Sequence, residues 1–533
     1  QTVTLHDIQP IWEAGRRLAL TDPDITCPAN TGGVTCRRIL TWLDISNGGG
    51  IGPSVEEYNE FAPARVGYIC PYLGGALAID CNSSNATNKT NALNEATNII
   101  NFVRGFQVSG LRDRQLNVLN DSGAAVTKVW KLGDIMNATP VVVAAPRERY
   151  DVVYGDTGYS AFFKRYKDRR QVAYAGANDG MLHAFNAGFF TLGDDASTIG
   201  VTEHVRFTTV PVRPGTSTTC AGLPCDASVT QYGFRANSPK LGAELWAFIP
   251  QDLLPQLRWL TMPGYDHMYY VDQTPKVTDV RIFAADADHP GGWGTILIGG
   301  FRLGGSCTNC TQGKSGARTV NADFNYNGTT TDTGNATSGS DTRVFLSSYF
   351  VLDVTNPEKD PVLLWVFRDK DLGLTTAAPA VLRVNPLTDA STSSANEKWY
   401  VVFGTGPTHI DGSSSQTAKM FVVDLKQGPV YTAVNQTSGT VGGTTCSLTS
   451  PCIAANTSSS SDEVRVYSTG QSGASMGNAI TVDYQLDYRV DMVYAGMVSC
   501  NGGTPSPCNG SNPVWRGAMC RLTTNGGNPD PDT

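Results

Sequence analysis

The sequence lacks both long hydrophobic runs and clusters of basic residues. No apolar stretch approaches the ~20 residues that cross a bilayer, so no membrane-spanning helix is expected. Forty Lys and Arg stand against 48 Asp and Glu, for a net charge of -8, and no basic run indicates a nucleic-acid partner. Gln1 is not followed by the charged and apolar regions of a signal peptide, so a leader is expected to have been removed or to lie upstream.

Motifs of catalysis are also scarce. The chain has no G-x-S-x-G nucleophile elbow, and none of its six histidines stands at a metal-like spacing from another. Cys310 is followed by Thr311 rather than histidine, which excludes covalent haem by the usual C-x-x-C-H motif. These absences favour a protein that is not an enzyme.

The 13 cysteines fall mostly in pairs of close sequence neighbours, in loops rich in Gly, Ser, Thr and Asn. Local disulfides are the favoured interpretation, and they persist only in oxidising compartments such as the periplasm or cell exterior. Zinc is the alternative, but only one C-x-x-C is present and no paired histidines accompany it. Cys520 is left over. The expected pairs are Cys27 with Cys36, Cys70 with Cys81, Cys220 with Cys225, Cys307 with Cys310, Cys446 with Cys452, and Cys500 with Cys508.

An internal repeat of strand-like segments decides the expected fold class. Each unit begins with an extended segment, continues with an apolar run ending in glycine, and then has a third apolar run. Two units add a fourth run, around Trp246 and Trp365. The glycine-ended runs close at Gly176, Gly300, Gly404 and Gly496.

Four short strands per unit are typical of a β-propeller blade, so we expect an all-β propeller with long, disulfide-pinned loop insertions. An open sandwich is the alternative. The predicted propeller spans 131–525, after a mixed N-terminal region 1–130 and before a tail at 526–533. The helical spacing of apolar residues predicts a helix over Asn91–Arg104 that packs on the propeller, and Arg38–Leu43 is a candidate for a degenerate further blade.

The positions of the long loops predict the face of the propeller on which each loop lies. Loops that join strand two to three, or strand four to the next blade, should leave on one face, and the other loops on the opposite face. The opposite face should carry Phe189–Gly242 and the acidic loop at Asp483. The first face should carry Phe301–Thr342, Pro407–Thr417, Asn435–Ala474 and Ser499–Val514.

The acidic loop has the spacing of a calcium site. Alternate residues of a tight loop can direct oxygens at one cation, and calcium takes six to eight of them. The predicted ligands are the side chains of Asp483, Gln485, Asp487 and Asp491 with the backbone carbonyl of Arg489. Tyr488 stands where an EF-hand loop has glycine, and the final Glu of that loop is absent. A solvated hairpin is an equally open interpretation of the residues alone.

A second oxygen-rich loop offers a weaker calcium candidate. Its glycine is correctly placed, but its last acid falls at the tenth position, so an ordinary Asn-Gly turn is the favoured alternative. The candidate ligands are Asp323, Asn325, Asn327 and Asp332.

Several longer motifs carry a resemblance to a known family. The segments WKLGDIMNATPVVV from Trp130 and YKDRRQVAYAGANDGMLHAFNAG from Tyr166 are followed, in order, by ELWAFIPQDLLPQL, HMYYVDQTPKVTDV, YFVLDVTNP and LLWVFRDKDLG. Over roughly Phe102 to Leu522 the chain resembles the C-terminal domain of the PilY-type family of type IV pilus biogenesis factors and tip adhesins.

The resemblance implies a modified seven-bladed propeller at the cell surface or pilus tip, with minor pilins as partners and a surface ligand of unknown identity. It also implies that calcium, bound at the loop from Asp483 to Asp491, controls the balance of pilus extension and retraction. The alternative is a secreted quinoprotein-like or carbohydrate-binding propeller. No vicinal cysteine pair of the quinoprotein kind is present, so a quinoprotein cofactor is not expected. Asn178, Asp179 and Gly180 are predicted to form a hairpin turn, which Asp-Gly favours, and His183 is predicted to be a satisfied core or surface residue.

Overall fold

The protein is described here from a computed structural model. The part of the chain that it describes comprises 10–23, 37–43, 58–74, 80–81, 83–191, 206–209, 218–220, 223–225, 239–307, 310, 318–321, 342–384, 398–429, 431–436, 440–441, 444–445, 452–455, 464–486, 489–501, 514–525 and 528–531.

Helices are few and mostly short. They are α1 (Ala14–Leu20), α2 (Val66–Ile69), α3 (Ala86–Arg104), α4 (Tyr150–Val153), α5 (Thr157–Tyr166) and α6 (Leu257–Leu260), with 3-10 turns at Pro63–Arg65, Cys70–Leu73, Gln251–Gln256 and Pro290–Gly292. None of the described helices is both long enough and apolar enough to cross a membrane.

Strands dominate the rest. In chain order they are β1 (Ile39–Trp42), β2 (Tyr58–Glu60), β3 (Gln115–Leu119), β4 (Ala125–Val129), β5 (Val141–Val143), β6 (Gln171–Gly176), β7 (Leu182–Thr191), β8 (Arg206–Thr208), β9 (Thr218–Cys220), β10 (Leu223–Cys225), β11 (Glu244–Ile249), β12 (Lys276–Arg281), β13 (Trp293–Gly300), β14 (Arg318–Asn321), β15 (Thr342–Phe345), β16 (Tyr349–Asp353), β17 (Val362–Phe367), β18 (Ala380–Val384), β19 (Lys398–Gly404), β20 (Lys419–Asp424), β21 (Tyr431–Gln436), β22 (Thr440–Val441), β23 (Thr444–Thr445), β24 (Cys452–Ala455), β25 (Val464–Ser468), β26 (Ala474–Val482), β27 (Met492–Asn501), β28 (Val514–Asn525) and β29 (Asn528–Pro531).

Four sheets follow one another along the chain, one for each unit of the repeat. The first sheet contains β5, β6, β7 and β11 in that order, and β1 and β2 extend it beyond β11. The second is β12-β13-β16-β17, the third β18-β19-β20-β25 and the fourth β26-β27-β28-β29. The latter three are antiparallel meanders. The repeat elements predicted from the sequence therefore correspond to strands of separate sheets.

Each sheet packs apolar side chains on the next sheet along the chain. Phe248 of the first sheet lies 5.3 Å from Phe350 of the second, measured between ring centroids. Phe367 of the second sheet lies 5.1 Å from Phe403 of the third. The third and fourth sheets share a further core that includes Met476. Burying one such side chain stabilises a fold by about 1.5–3 kcal/mol, so these contacts join the sheets into a row.

Two of the four repeated glycines lie at the contact between one sheet and the next. A Cβ at Gly176 would come within 2.2 Å of the Val271 carbonyl oxygen, in the segment that leads into the second sheet. A Cβ at Gly404 would come within 2.0 Å of the Met476 Cβ, in the fourth sheet. Gly496, in the fourth sheet, has no described atom within 4 Å of that position. Close approach therefore explains the glycine in the first and third sheets.

The fold is mostly β, with several small sheets, and no sheet closes on itself among the described strands. A seven-bladed propeller is not confirmed. The predicted domain boundaries also stay predictions.

Two predictions about the repeat were wrong. Arg38–Leu43 does not begin a further blade, because its strand β1 pairs in parallel with β11 and widens the first sheet. Asn435–Ala474 does not leave on the first face, because it contains β25, the fourth strand of the third sheet, paired with β20. The segment between β20 and β25 therefore joins strands three and four and leaves on the opposite face. The predicted positions of the other insertions agree with the strand order.

The predicted helix is confirmed and is longer than expected. Helix α3 begins at Ala86 rather than Asn91, because the Asn85 side chain caps it by accepting hydrogen bonds from two backbone N–H groups. It ends before Gly105, which has a left-handed φ of 110°. Its buried face, with Ala96 and Ile100, belongs to the same apolar core as the first sheet.

Two of the expected disulfides are present, Cys70–Cys81 and Cys307–Cys310. Cys500 is also disulfide-bonded, and its partner lies outside the described residues. Cys520, which the predicted pairs left over, is a free thiol. The remaining predicted pairs involve side chains that lie outside the described part of the chain.

Candidate functional site

The acidic loop is the hairpin that joins β26 to β27, the first two strands of the fourth sheet, where the repeat predicted it. Tyr484 and Leu486 project from it with 78% and 75% of their surface exposed. Leu486 has a φ of 55°, a left-handed conformation that is uncommon for a side chain of this size. The hairpin therefore uses Leu486 for a left-handed backbone conformation, whereas an EF-hand loop has a glycine at its sharp turn.

Asp491 closes this hairpin through its own hydrogen bonds. Its Oδ2 accepts the backbone N–H of Tyr484 at 2.7 Å and that of Gln485 at 3.3 Å. Its own N–H donates to the Val482 carbonyl at 2.9 Å. A carboxylate offers about four lone-pair sites, so these two bonds on Oδ2 leave Asp491 able to bind a cation.

Three other elements hold the base of the hairpin. The Tyr154 hydroxyl, next to α4, donates to Asp483 Oδ2 at 3.2 Å. The Val490 N–H donates to the Arg383 carbonyl of β18 at 3.0 Å, and the Thr524 N–H of β28 donates to the Asp491 carbonyl at 3.0 Å. The loop is therefore anchored to the third sheet and to its own sheet, while its tip is exposed.

The structure brings four of the five predicted ligands, Asp483, Gln485, Arg489 and Asp491, into one hairpin. Asp487 lies outside the described residues, as do all ligands of the weaker candidate, Asp323, Asn325, Asn327 and Asp332. Within the described part of the chain, no group of three or more His, Cys, Asp or Glu side chains could hold a metal ion. The donor set of the hairpin consists of hard oxygens, which suit calcium.

Sequence reasoning missed the residues that support the hairpin, namely Tyr154, Arg383 and Thr524. They are far from the loop in the chain, and Arg383 acts through its backbone carbonyl, so no local pattern could have identified them.

A second polar centre is buried in the first sheet, around His183. The turn at Asn178–Gly180 is formed as predicted, with a φ of 98° at Gly180. His183 is fully buried, its Nδ1 lies 2.7 Å from Glu244 Oε1, and its Nε2 lies 3.1 Å from both Asp179 oxygens. Both ring nitrogens therefore have carboxylate partners. This confirms the prediction that His183 is a core residue whose polar atoms are satisfied.

Two carboxylates make His183 a buried imidazolium. Burial is the largest single effect and disfavours its charge, but Asp179 and Glu244 together raise the pKa of His183 to about 9. Burial likewise opposes ionisation of Glu244, but Arg37 and His183 lower its pKa to about 2. Because both ring nitrogens face carboxylates, no nucleophile can be activated by this histidine as in a Ser-His-Asp enzyme.

The raised pKa of His183 predicts a pH-dependent contribution to stability. It should be fully present below pH 6.5 and be lost as the pH rises to about 9, the span between the unfolded and folded pKa values. The expected loss is ~2–3 kcal/mol in the free energy of unfolding, measured by urea denaturation at a series of pH values.

The difference in the free energy of unfolding between wild type and a His183 variant, followed over pH, isolates this effect. Burial lowers the pKa of Lys131 to about 7, so Lys131 changes stability in the opposite direction over the same pH range. The difference between wild type and His183→Gln should therefore shrink from pH 6.5 to 9. The half-exposed His267 is the matched control, and a His267→Gln difference that varies equally over this range would contradict the prediction.

Comparison with known proteins supports the resemblance seen in the sequence. No protein-family model matches the chain. The type IV pilus biogenesis factor PilY1 of Pseudomonas aeruginosa strain PAO1 is 26% identical over 338 residues, which are 61% of this chain and 19% of that protein. A PilY1 homolog of Xylella fastidiosa is 26% identical over 328 residues, 60% of this chain and 18% of that protein. The resemblance to the PilY-type family is thereby confirmed.

The chain spans about a fifth of the length of these curated relatives. Among solved structures, it is similar to the crystal structure of the Pseudomonas aeruginosa PilY1 C-terminal domain, with a TM-score of 0.31 and 18% identity. That alignment covers 72% of this chain and 45% of the other.

Proposed function

We propose that this chain is a non-enzymatic region of a type IV pilus biogenesis factor, and that it acts at the cell surface or pilus tip. The observation that carries the proposal is the similarity of about 60% of the chain to proteins named for that role. The buried, carboxylate-paired His183 gives no support to a hydrolytic alternative.

The sheets are proposed to be consecutive blades of a propeller. Supporting this, each sheet follows the previous one in the chain and packs on it. The outer face of the fourth sheet carries apolar side chains that are exposed among the described residues, where a following blade would pack. These side chains are Ile480, Val498, Trp515 and Met519.

The hairpin between β26 and β27 is proposed to bind calcium through Asp483, Gln485, Asp487, Asp491 and the Arg489 carbonyl. When bound, calcium supplies a positive charge that offsets the repulsion among three carboxylates in one loop. Asp483 follows β26 and Asp491 precedes β27, so ligands at both strand ends would order the exposed tip. An ordered tip shifts the population that is competent to contact a partner, and minor pilins are the proposed partners.

Calcium is expected to raise the melting temperature of the purified chain. Binding to the folded state alone stabilises it by about 2.7 kcal/mol when free ligand exceeds Kd a hundredfold. The double variant Asp487→Asn, Asp491→Asn should lose the shift, because it removes two charges. Asparagine keeps an acceptor for the N–H of Tyr484, so the hairpin itself should remain.

Two controls accompany this titration. Magnesium tests ion selectivity, since it demands near-octahedral geometry and dehydrates reluctantly. Asp323→Asn with Asp332→Asn tests the weaker candidate loop and should leave the shift intact. If wild type shows no shift, or if the Asp487 and Asp491 variant keeps a full one, the calcium proposal fails.

The pilus role is tested separately in the organism that encodes the chain. Deleting the coding sequence should reduce surface pili, and the wild-type sequence should restore them. Normal piliation of the deletion strain would contradict the proposed role, whatever the result with calcium.

A further inference from the structure

A cavity of about 500 Å³ lies beside the first sheet, away from the acidic hairpin. Its walls come from the end of α3, the start of β3, the segment after β4 and the turn between β6 and β7. This volume is within the range of small-molecule sites, about 300–1,000 Å³. Much of the lining is apolar, including Leu116, Trp130 and Leu260.

Two arginines in this lining are placed on aromatic rings rather than on carboxylates. The Arg112 guanidinium carbon lies 4.1 Å from the Tyr265 ring centroid, and that of Arg114 lies 3.7 Å from the Phe102 ring centroid. Arg114 Nη2 donates to the Phe102 carbonyl. The Nε atoms of both arginines are buried and have no hydrogen-bond partner in the structure. Stacking on a ring leaves the edge of a guanidinium available to a planar anion.

Lys131 adds a third basic group at the same wall. It is 3% exposed, and its Nζ donates to the carbonyls of Ala19 and Val129, at 3.0 and 3.4 Å. Burial is the main cause that lowers the pKa of Arg114 to about 9 and that of Lys131 to about 7. For both groups burial outweighs the partial compensation by a carboxylate, Asp179 for Arg114 and Glu244 for Lys131.

The carboxylates of the lining are occupied elsewhere or exposed. Asp179 accepts hydrogen bonds from His183 and from the Gly133 N–H. Asp134 contacts His267 and accepts a hydrogen bond from the Asn178 amide. Asp113 accepts the Gln115 N–H at the exposed rim.

Behind the cavity the described buried charges have a positive excess. Arg37 and Arg104 lie there with His183, while the buried carboxylates are Asp179 and Glu244, and the Glu60 side chain near Arg104 is 27% exposed. Burying more cations than carboxylates costs free energy, and a bound anion would remove part of that cost.

We propose that this cavity binds a small organic anion, with one carboxylate or phosphate group held by Arg112 and Arg114 and an apolar body against Leu116, Trp130 and Leu260. This site is independent of the calcium hairpin and of the proposed pilus role.

Calorimetric titration of the full chain tests the proposal with three related probes. Phenylacetate and phenyl phosphate share a ring but differ in the anionic group, whereas phenylacetamide is neutral. We expect at least one of the two anions to bind ~10-fold more tightly than phenylacetamide, because charge-assisted hydrogen bonds to arginine distinguish them. Which of the anions binds more tightly identifies the group that the site prefers.

Variants then locate the site. Arg112→Gln should weaken binding of the preferred anion by ~10-fold or more, and Arg112→Lys should weaken it less, because lysine keeps the charge but not the planar fork. Lys128→Gln, an exposed cation on the adjacent β4, is the matched control and should bind as wild type does. The proposal is overturned if phenylacetamide binds wild type as tightly as the anions, or if no anion binds. It is also overturned if a folded Arg112→Gln variant binds like the control. The wild-type comparison does not depend on the folding of any variant.

Discussion

Replacing Glu244 by Gln is expected to lower the free energy of unfolding by about 3–5 kcal/mol, the usual cost of breaking a buried ion pair. Glu244 is fully buried and joins two cations: Arg37 Nε donates to its Oε2 at 2.8 Å, and His183 Nδ1 lies 2.7 Å from its Oε1. Glutamine keeps the shape but not the charge, so Arg37 and His183 would lose the anion that compensates them. Urea denaturation at pH 6 measures the loss.

A control and a pH series make this result specific. Asp121 is 43% exposed, although Arg17 and Lys240 both contact it, so Asp121→Asn should cost under ~1 kcal/mol. Because the pKa of Glu244 is lowered from 4.5 to about 2, its stabilisation is present above pH 4.5 and is lost as the pH falls toward 2. The variant should lack that acid-dependent loss. A Glu244→Gln protein as stable as Asp121→Asn would contradict the assignment of a charged network in this core.

Replacing Glu358 by Gln is expected to destabilise the contact between the first and second sheets by a similar ~3–5 kcal/mol. Arg170 immediately precedes β6, and its Nε and Nη2 donate to the two Glu358 oxygens at 2.8 and 3.1 Å. Both side chains are 1% exposed. The Asn186 amide oxygen, at 3.0 Å from Arg170 Nη1, would remain but carries no charge to compensate the cation. Urea denaturation again measures the loss.

A double variant separates the pair from simple misfolding. Arg170→Met with Glu358→Leu removes both charges and should be more stable than Glu358→Gln, because no unpaired charge stays buried. If the double variant is no more stable than Glu358→Gln, then packing rather than the ion pair determines the effect.

The order of the sheets could be predicted from the sequence because each unit repeats the same local pattern. Second strands such as β19 are apolar at successive positions, since side chains on their two faces enter different cores: Val401 and Phe403 belong to one, and Tyr400 and Val402 to the other. Such runs, ended by glycine, are legible without any tertiary information.

Two strands, β25 and β1, could not be placed correctly in this way. β25 reads VRVYS and lies after a Ser-rich stretch, so its alternation of polar and apolar residues does not distinguish it from a loop. β1 is apolar but has no partner within its own unit; its place beside β11 is a parallel pairing across more than two hundred residues. Non-local pairings of this kind carry no local signal.

The candidate site also combines features that could be predicted from the sequence with features that could not. The position of the hairpin between β26 and β27 followed from the repeat, and the proposed calcium ligands follow from the spacing of their oxygens. The contact of Tyr154 with Asp483 joins residues 329 apart, and the bend at Leu486 uses a residue type that disfavours it. These features follow from how the elements pack, which the spacing of oxygen ligands does not encode.

Equilibrium dialysis against radioactive calcium tests the central proposal most directly, because it counts bound ions without relying on stability. The wild-type chain is expected to bind a single calcium ion that the Asp487→Asn, Asp491→Asn variant loses, with affinity reduced at least ~10-fold by the missing charges. The Asp323→Asn, Asp332→Asn variant should bind as wild type does. Calcium bound equally by wild type and by the Asp487 and Asp491 variant, or by neither, would contradict the assignment of this hairpin as the calcium site.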